Sequence, residues 1–265
     1  MPRIALCQLN SGDDPEENLK PVRSGVEAAA AAGARVAVFP EATMARFGRP
    51  LAPVAQQLDG PWASAVASIA SEHDVLVIAG MFTPADNGRV RNTLLVTGLG
   101  QHLGYDKIHL YDAFGFAESD TVAPGSEVVT FSAEGTVFGV ATCYDLRFPE
   151  LFRRLADDGA DVVAVPASWG AGAGKREQWE VLVRARALDS GCWVAACGQA
   201  DPSATGVEVN PKAPTGIGYS LVADGFGRVA EQAGAGAEML VVDVEPEVAG
   251  KARTATGALA NRRLS

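Results

Sequence analysis

The period of the hydrophobic positions changes several times along the chain. Apolar, β-branched runs at residues 3–9, 36–39 and 75–82 alternate with alanine-rich stretches at 15–32 and 62–72, and this predicts strands separated by helices. The runs are apolar throughout rather than alternating, so the strands are expected to be covered on both faces, as in an α/β fold. Further along, paired short runs flank glycines. Residues 94–97 and 101–105 surround Gly98 and Gly100, 127–131 and 137–142 surround Gly135, and 219–223 and 228–232 surround Gly225 and Gly227. These read as hairpins, and hairpins mixed with β-α-β units predict mixed sheets. Glycine- and proline-rich text at 170–174 and 200–218 reads as surface loops, and the polar tail 253–265 as extended chain.

Composition narrows the class. With 265 residues, 48% hydrophobic and 20% charged, the chain has the make-up of a globular protein with one large core. A formal charge of -10 repels polyanions and anionic lipid, which argues against nucleic acid and membrane surfaces as partners. Cys7, Cys143, Cys192 and Cys197 fall at no CxxC spacing, and with only three histidines neither a zinc site nor a disulfide framework is expected. The N-terminal residues lack the apolar core of a signal peptide and no run reaches membrane-spanning length, so the expectation is a cytoplasmic protein with reduced thiols.

Three positions carry chemistry. In Val137-Phe-Gly-Val-Ala-Thr-Cys143-Tyr-Asp-Leu-Arg-Phe-Pro149, an apolar strand runs into a turn and then a helix opened by Pro149. A cysteine at that hinge projects from the carboxyl end of a strand, next to backbone N–H groups free to bind an oxyanion. Cys7, Cys192 and Cys197 read instead as small buried apolar residues. Val36-Ala-Val-Phe-Pro-Glu41 ends a second strand in a carboxylate suited to proton transfer. Lys107, in Tyr105-Asp-Lys107-Ile-His109-Leu, would read alone as a solvated lysine. Together, a thiol, a carboxylate and an ammonium at three strand ends supply what acyl transfer from an amide requires.

Phe39-Pro40-Glu41, Lys107-Ile108-His109-Leu110 and Cys143-Tyr144-Asp145-Leu146-Arg147-Phe148-Pro149-Glu150 resemble, in order, the three signatures of the nitrilase superfamily. The likeness extends to Trp179-Glu180-Val181-Leu182 and to the closing Asn261-Arg262-Arg263. It implies one domain over residues 1–265 with an α/β fold, a four-layer α-β-β-α sandwich of two mixed six-stranded sheets, assembled as a homodimer or higher oligomer. It also implies Cys143 as nucleophile, Glu41 as general base, Lys107 and the Tyr144 N–H as oxyanion donors, Glu118 as a further carboxylate beside them, and no cofactor or metal. Gly225 stands where the family commonly has proline.

The text after the cysteine is similar to amidases acting on small carboxylate-bearing amides, with ω-amidases and deaminated-glutathione amidases the nearest branches. N-carbamoyl amide hydrolases and nitrilases are the alternatives within the superfamily, and a catalytically silent binding protein is the alternative outside catalysis. Arg147 either grips a substrate carboxylate or pairs internally with Asp145 or Glu150. Trp169 and the glycine loop behind it are expected to line the pocket, and the 200–218 loop to shape it. Gly170-Ala-Gly-Ala-Gly174-Lys175-Arg176 fails the phosphate-loop pattern in both glycine spacing and the residue after the lysine.

Overall fold

The computed structural model describes residues 1–263, and twelve of its fourteen strands form two six-stranded sheets. The first half of the chain contributes β1 (Arg3–Gln8), α1 (Pro15–Ala31), β2 (Val36–Val38), α2 (Pro61–His73), β3 (Leu76–Pro84), β4 (Val90–Gly98) and β5 (Gln101–Asp106). A small hairpin follows, β6 (Asp112–Ala113) and β7 (Phe116–Ala117). The second half gives β8 (Thr130–Ala133), β9 (Thr136–Val140), α3 (Pro149–Asp157), β10 (Val162–Ala167), α4 (Lys175–Ser190), β11 (Trp193–Gly198), α5 (Pro202–Thr205), β12 (Leu221–Ala223), β13 (Val229–Gln232), β14 (Glu238–Asp243) and α6 (Pro246–Thr256).

One sheet has the order β14-β1-β2-β3-β4-β5, the other β13-β12-β11-β10-β9-β8. Each contains a parallel trio, β1-β2-β3 and β9-β10-β11, flanked by antiparallel neighbours, so both are mixed. Side-chain alternation then divides the core into layers. Ile4, Leu6, Val36, Val38, Leu76 and Ile78 of the first sheet meet Phe138, Val140, Val162, Ala164 and Val222 of the second. The opposite face of the first sheet, with Ala5, Ala37, Val77 and Ala79, packs on Val22 and Val26 of α1 and Trp62, Val66 and Ile69 of α2. Val163, Val165, Val194 and Ala196 of the second sheet pack on Phe152 and Leu155 of α3 and Trp179 and Val183 of α4. The result is the α-β-β-α sandwich that the family resemblance implies, with the mixed sheets expected from the hydrophobic pattern.

Local chemistry sets the element boundaries. Asp14 caps α1 by accepting from the Glu16 N–H at 2.8 Å, and prolines open α1, α2, α3 and α6 where a missing N–H costs nothing. The expected extended tail is corrected in part: Arg253–Thr256 is the last turn of α6, which Pro246 starts and whose buried face is only Ala249 and Ala252. That face is too small to register as a hydrophobic period; residues 264–265 of the same expectation lie outside those described. No helix among the described residues is long and apolar enough to cross a membrane.

Candidate active site

Glu41 follows β2, on a loop fastened to β3. Gly80 N donates to Pro40 O at 3.1 Å and Met44 N to Gly80 O at 2.8 Å. A Cβ on Gly80 would lie 2.3 Å from Ala42 N, so only glycine admits this approach. Gln199 Nε2 braces the loop from the second sheet, donating to Glu41 O at 2.9 Å. The Glu41 side chain is buried, yet each oxygen is satisfied. Oε1 accepts from Asn92 Nδ2 at 2.7 Å and Lys107 Nζ at 3.0 Å, and Oε2 from the Ser168 N–H at 2.7 Å.

Lys107 lies just past β5, pinned by its N–H to Asn92 O at 2.9 Å. The solvated reading of this lysine in isolation is overturned: it is 2% exposed, and Nζ bridges Glu41 and Glu118, the latter at 2.9 Å. Burial works against the ammonium, but Glu118, Glu41 and Cys143 hold its pKa well above the usual lysine value. Glu118 opens the turn after β7 and is buried rather than an exposed loop acid. Its Oε1 accepts from Asn92 Nδ2 at 3.0 Å and its Oε2 also accepts from the Tyr111 N–H at 2.7 Å. One asparagine amide and one ammonium thus close a ring around two carboxylates.

Cys143 begins a 3-10 turn, Cys143–Arg147, between β9 and α3, with φ at +47°. This left-handed conformation is unfavourable for a residue with a Cβ, and such strain is held only where the surroundings fix it. Asp145 does the fixing. Its carboxylate accepts from Thr142 N at 2.8 Å, Tyr105 Oη at 2.7 Å and His109 N at 3.0 Å, with His109 Nδ1 at 2.7 Å. Tyr105 and His109 bracket Lys107, so one buried aspartate ties the nucleophile turn to the segment carrying the ammonium. The first turn also leaves the Tyr144 N–H without an intrahelical acceptor. Burial, and then the negative charge of Glu41, pushes the Cys143 thiol well above its usual range, while Lys107 and the Ser168 N–H pull it back. At neutral pH the sulfur therefore keeps its proton until a base takes it.

All seven residues singled out in the sequence, Glu41, Lys107, Glu118, Cys143, Tyr144, Arg147 and Trp169, line one pocket. Arg147 makes neither of the ion pairs considered for it: Asp145 is occupied as above, and the guanidinium donates to Gln178 Oε1 at 2.7 Å. Trp169 reaches the pocket edge and anchors the loop behind it through Nε1 to Lys175 O at 3.0 Å. The 200–218 loop contributes Pro214, held by Ser168 Oγ to Pro214 O at 2.6 Å. Asn92 and Lys175 were not read from the sequence, nor was the anchoring role of Asp145. Among the described residues no cluster of three or more His, Cys, Asp or Glu side chains is arranged to hold a metal ion. A thiol, a carboxylate and a fixed ammonium converging here can exchange a proton, attack a carbonyl and stabilise the negative oxygen that results.

Comparison with known proteins agrees with this chemistry. The carbon-nitrogen hydrolase family model matches residues 3–254. A hydrolase of Mycobacterium tuberculosis is 52% identical over 98% of this chain and 95% of its own. The deaminated glutathione amidase of Escherichia coli O157:H7 is 33% identical over 86% of this chain and 84% of its own. The structure of Saccharomyces cerevisiae Nit3, a member of branch 10 of the nitrilase superfamily, aligns at a TM-score of 0.85 with 25% identity, over 99% of this chain and 97% of that one. The chain is therefore an enzyme of the carbon-nitrogen hydrolase family, within the nitrilase superfamily.

Proposed function

We propose that this enzyme hydrolyses a small linear amide bearing a carboxylate, through a thioester on Cys143, and releases ammonia. The observation that carries the reading is the convergence of Glu41, Lys107 and Cys143, from three different strand ends, on one pocket that Arg147 also lines. Glu41 takes the thiol proton as Sγ attacks the amide carbonyl carbon. The carbonyl oxygen becomes an oxyanion held by Lys107 Nζ and the Tyr144 N–H. Collapse breaks the carbon–nitrogen bond, Glu41 returns its proton to the nitrogen, and ammonia leaves. Water then loses a proton to Glu41 and attacks the thioester, which yields the carboxylic acid and restores the thiol.

The ring around Glu41 suits both half-reactions. Asn92, Lys107 and the Ser168 N–H fix the orientation of the carboxylate without closing the pocket in front of Cys143. Arg147 supports an acidic substrate, because among the described residues its guanidinium hydrogen-bonds the neutral Gln178 and pairs with no carboxylate, and its planar fork fits one.

The test is hydrolysis of α-ketoglutaramate, deaminated glutathione, simple aliphatic amides, N-carbamoyl acids and nitriles by the wild type and by Cys143→Ala, followed as ammonia, or for deaminated glutathione as the peptide amine freed from its acyl group. The expected outcome is hydrolysis of one of the first two that falls by about 10⁶-fold in the alanine variant, as when other enzymes lose a nucleophile. Turnover that survives Cys143→Ala would remove the thioester from the scheme. Turnover confined to nitriles or carbamoyl acids would move the enzyme to another branch.

A further inference from the structure

We propose that Lys175, the first residue of α4, forms with Arg147 a two-cation clamp for a single substrate carboxylate, and that Lys175 thereby sets the preference for acidic over neutral amides. This rests on the amidase reading above. Lys175 is only 9% exposed, yet the partners of its ammonium are neutral. Nζ lies 3.5 Å from the Tyr111 hydroxyl and 3.4 Å from the centroid of the Phe114 ring, and no carboxylate pairs with it among the described residues. Arg147, half-buried, also lacks an anion among the described residues. Its charged group lies 5.3 to 5.8 Å from the ring centroids of Trp169, Tyr144 and Phe114, and its Nε is buried with no hydrogen-bond partner. Burial, then the charge of Arg147, lowers the Lys175 pKa, so the two cations oppose one another until something negative comes between them.

Charge balance indicates what that is. Among the ionisable residues lining the pocket, Glu41 and Glu118 stand against Lys107, Arg147 and Lys175, and with a neutral thiol this leaves one uncompensated positive charge. One carboxylate cancels it. A second would place extra negative charge in the pocket where the oxyanion has to form, which works against catalysis. The ligand class is thus an amide whose acyl part carries a single carboxylate, its amide at Cys143 and that carboxylate shared between the Arg147 fork and the Lys175 point charge. Lys175 is well placed for this, because it also lines the outer cleft between the β6–β7 hairpin and the 200–216 loop.

The experiment compares kcat/KM for succinamate and glutaramate with that for the corresponding diamides, in the wild type, Lys175→Met, Lys175→Arg and Arg147→Met. The wild type should prefer the acids. Lys175→Met should reduce that preference by about 30-fold, mainly through KM of the acid, as expected when one partner of a desolvated charge pair is lost. Lys175→Arg should restore most of it. Damage to the fold would slow acid and diamide alike and leave their ratio in place, so an unchanged ratio in Lys175→Met overturns the role of Lys175. A preference kept in Lys175→Met and lost in Arg147→Met overturns only the clamp and leaves the carboxylate-amide reading standing. A wild type with no acid preference overturns both.

Discussion

On the first-sheet side of the pocket, Lys107 is wedged between Glu41 and Glu118, and Asn92 bridges the same two carboxylates. On the opposite wall Arg147 and Lys175 both face the Phe114 ring, and their hydrogen-bond partners, Gln178 for Arg147 and the Tyr111 hydroxyl for Lys175, are neutral. The first region buries its charge and compensates it internally, whereas the second, half-buried and beside the outer cleft, leaves its charge without an anion. A buried charge that lacks its partner costs several kcal/mol, so the first arrangement is set before substrate arrives and the second is completed by substrate. The inner ring is suited to catalysis, where donors must not reorganise during the reaction. The outer wall is suited to selection, where the missing partner is the ligand itself.

The sharpest way to break this contrast is Lys107→Met. Two adjacent buried carboxylates would lose their common counter-ion, and a loss of about 3–5 kcal/mol is expected. Thermal melting should register it at about 2–4 °C per kcal/mol. Turnover should fall by about 10²–10³-fold with the loss of an oxyanion donor. The variant also reads out the thiol. Lys107 pulls the Cys143 pKa down against burial and Glu41, so its removal raises that pKa further. Alkylation by iodoacetamide, which needs the thiolate, should begin at higher pH in the variant than in the wild type. An alkylation profile that stays put would mean that Lys107 does not act on the sulfur.

Asn92→Leu should have the next largest effect. It keeps the side-chain size and removes both donations to the carboxylates, each worth about 1.5–3 kcal/mol when the acceptor is charged. Because the Asn92 Oδ1 is itself buried without a partner, part of the stability cost is returned. The fall is therefore expected in kcat, about 10- to 100-fold, with KM nearly unchanged. A change confined to KM would move Asn92 from orienting Glu41 to contacting substrate.

On the outer wall the same kind of substitution should act in the other direction. Lys175→Met removes a poorly compensated cation that Arg147 repels, so without substrate the protein should melt about 2–4 °C higher, equivalent to roughly 1 kcal/mol. A lower melting temperature would show that Lys175 is held by attraction to its aromatic neighbours and not kept open for an anion.

The two regions were also unequally legible in the sequence. Glu41 and Cys143 each sit where an apolar strand run stops, a signal that survives without knowledge of the fold; Lys107 read alone as solvated and gained weight only beside them, and Glu118 came through resemblance alone. Asn92 did not stand out, because a polar residue two positions before Leu94 reads as the start of a strand. β4 in fact begins at Val90, and the burial of Asn92 follows from what packs on that extension. Lys175 lay hidden in a glycine-rich loop, and the rings that surround it come from residues about sixty positions earlier. Asp145 looked like a partner for Arg147. Its actual partners, Tyr105 and His109, are brought to it by the packing of one sheet on the other, which no local pattern records.

Trp169→Phe should have the smallest effect, and it separates the shape of the outer wall from its charge. The indole packs 5.4 Å from Trp179, centroid to centroid, and its Nε1 holds Lys175 O, so it fixes where α4 begins and hence where the ammonium stands. Phenylalanine keeps most of the apolar contact and removes the donor, a net change on the order of 1 kcal/mol. A rise of a few fold in KM for the acidic amide is expected, with kcat and the response to diamides little altered. If the rise is instead the same for acid and diamide, Trp169 acts as a plain wall of the pocket and the start of α4 is held by its other contacts.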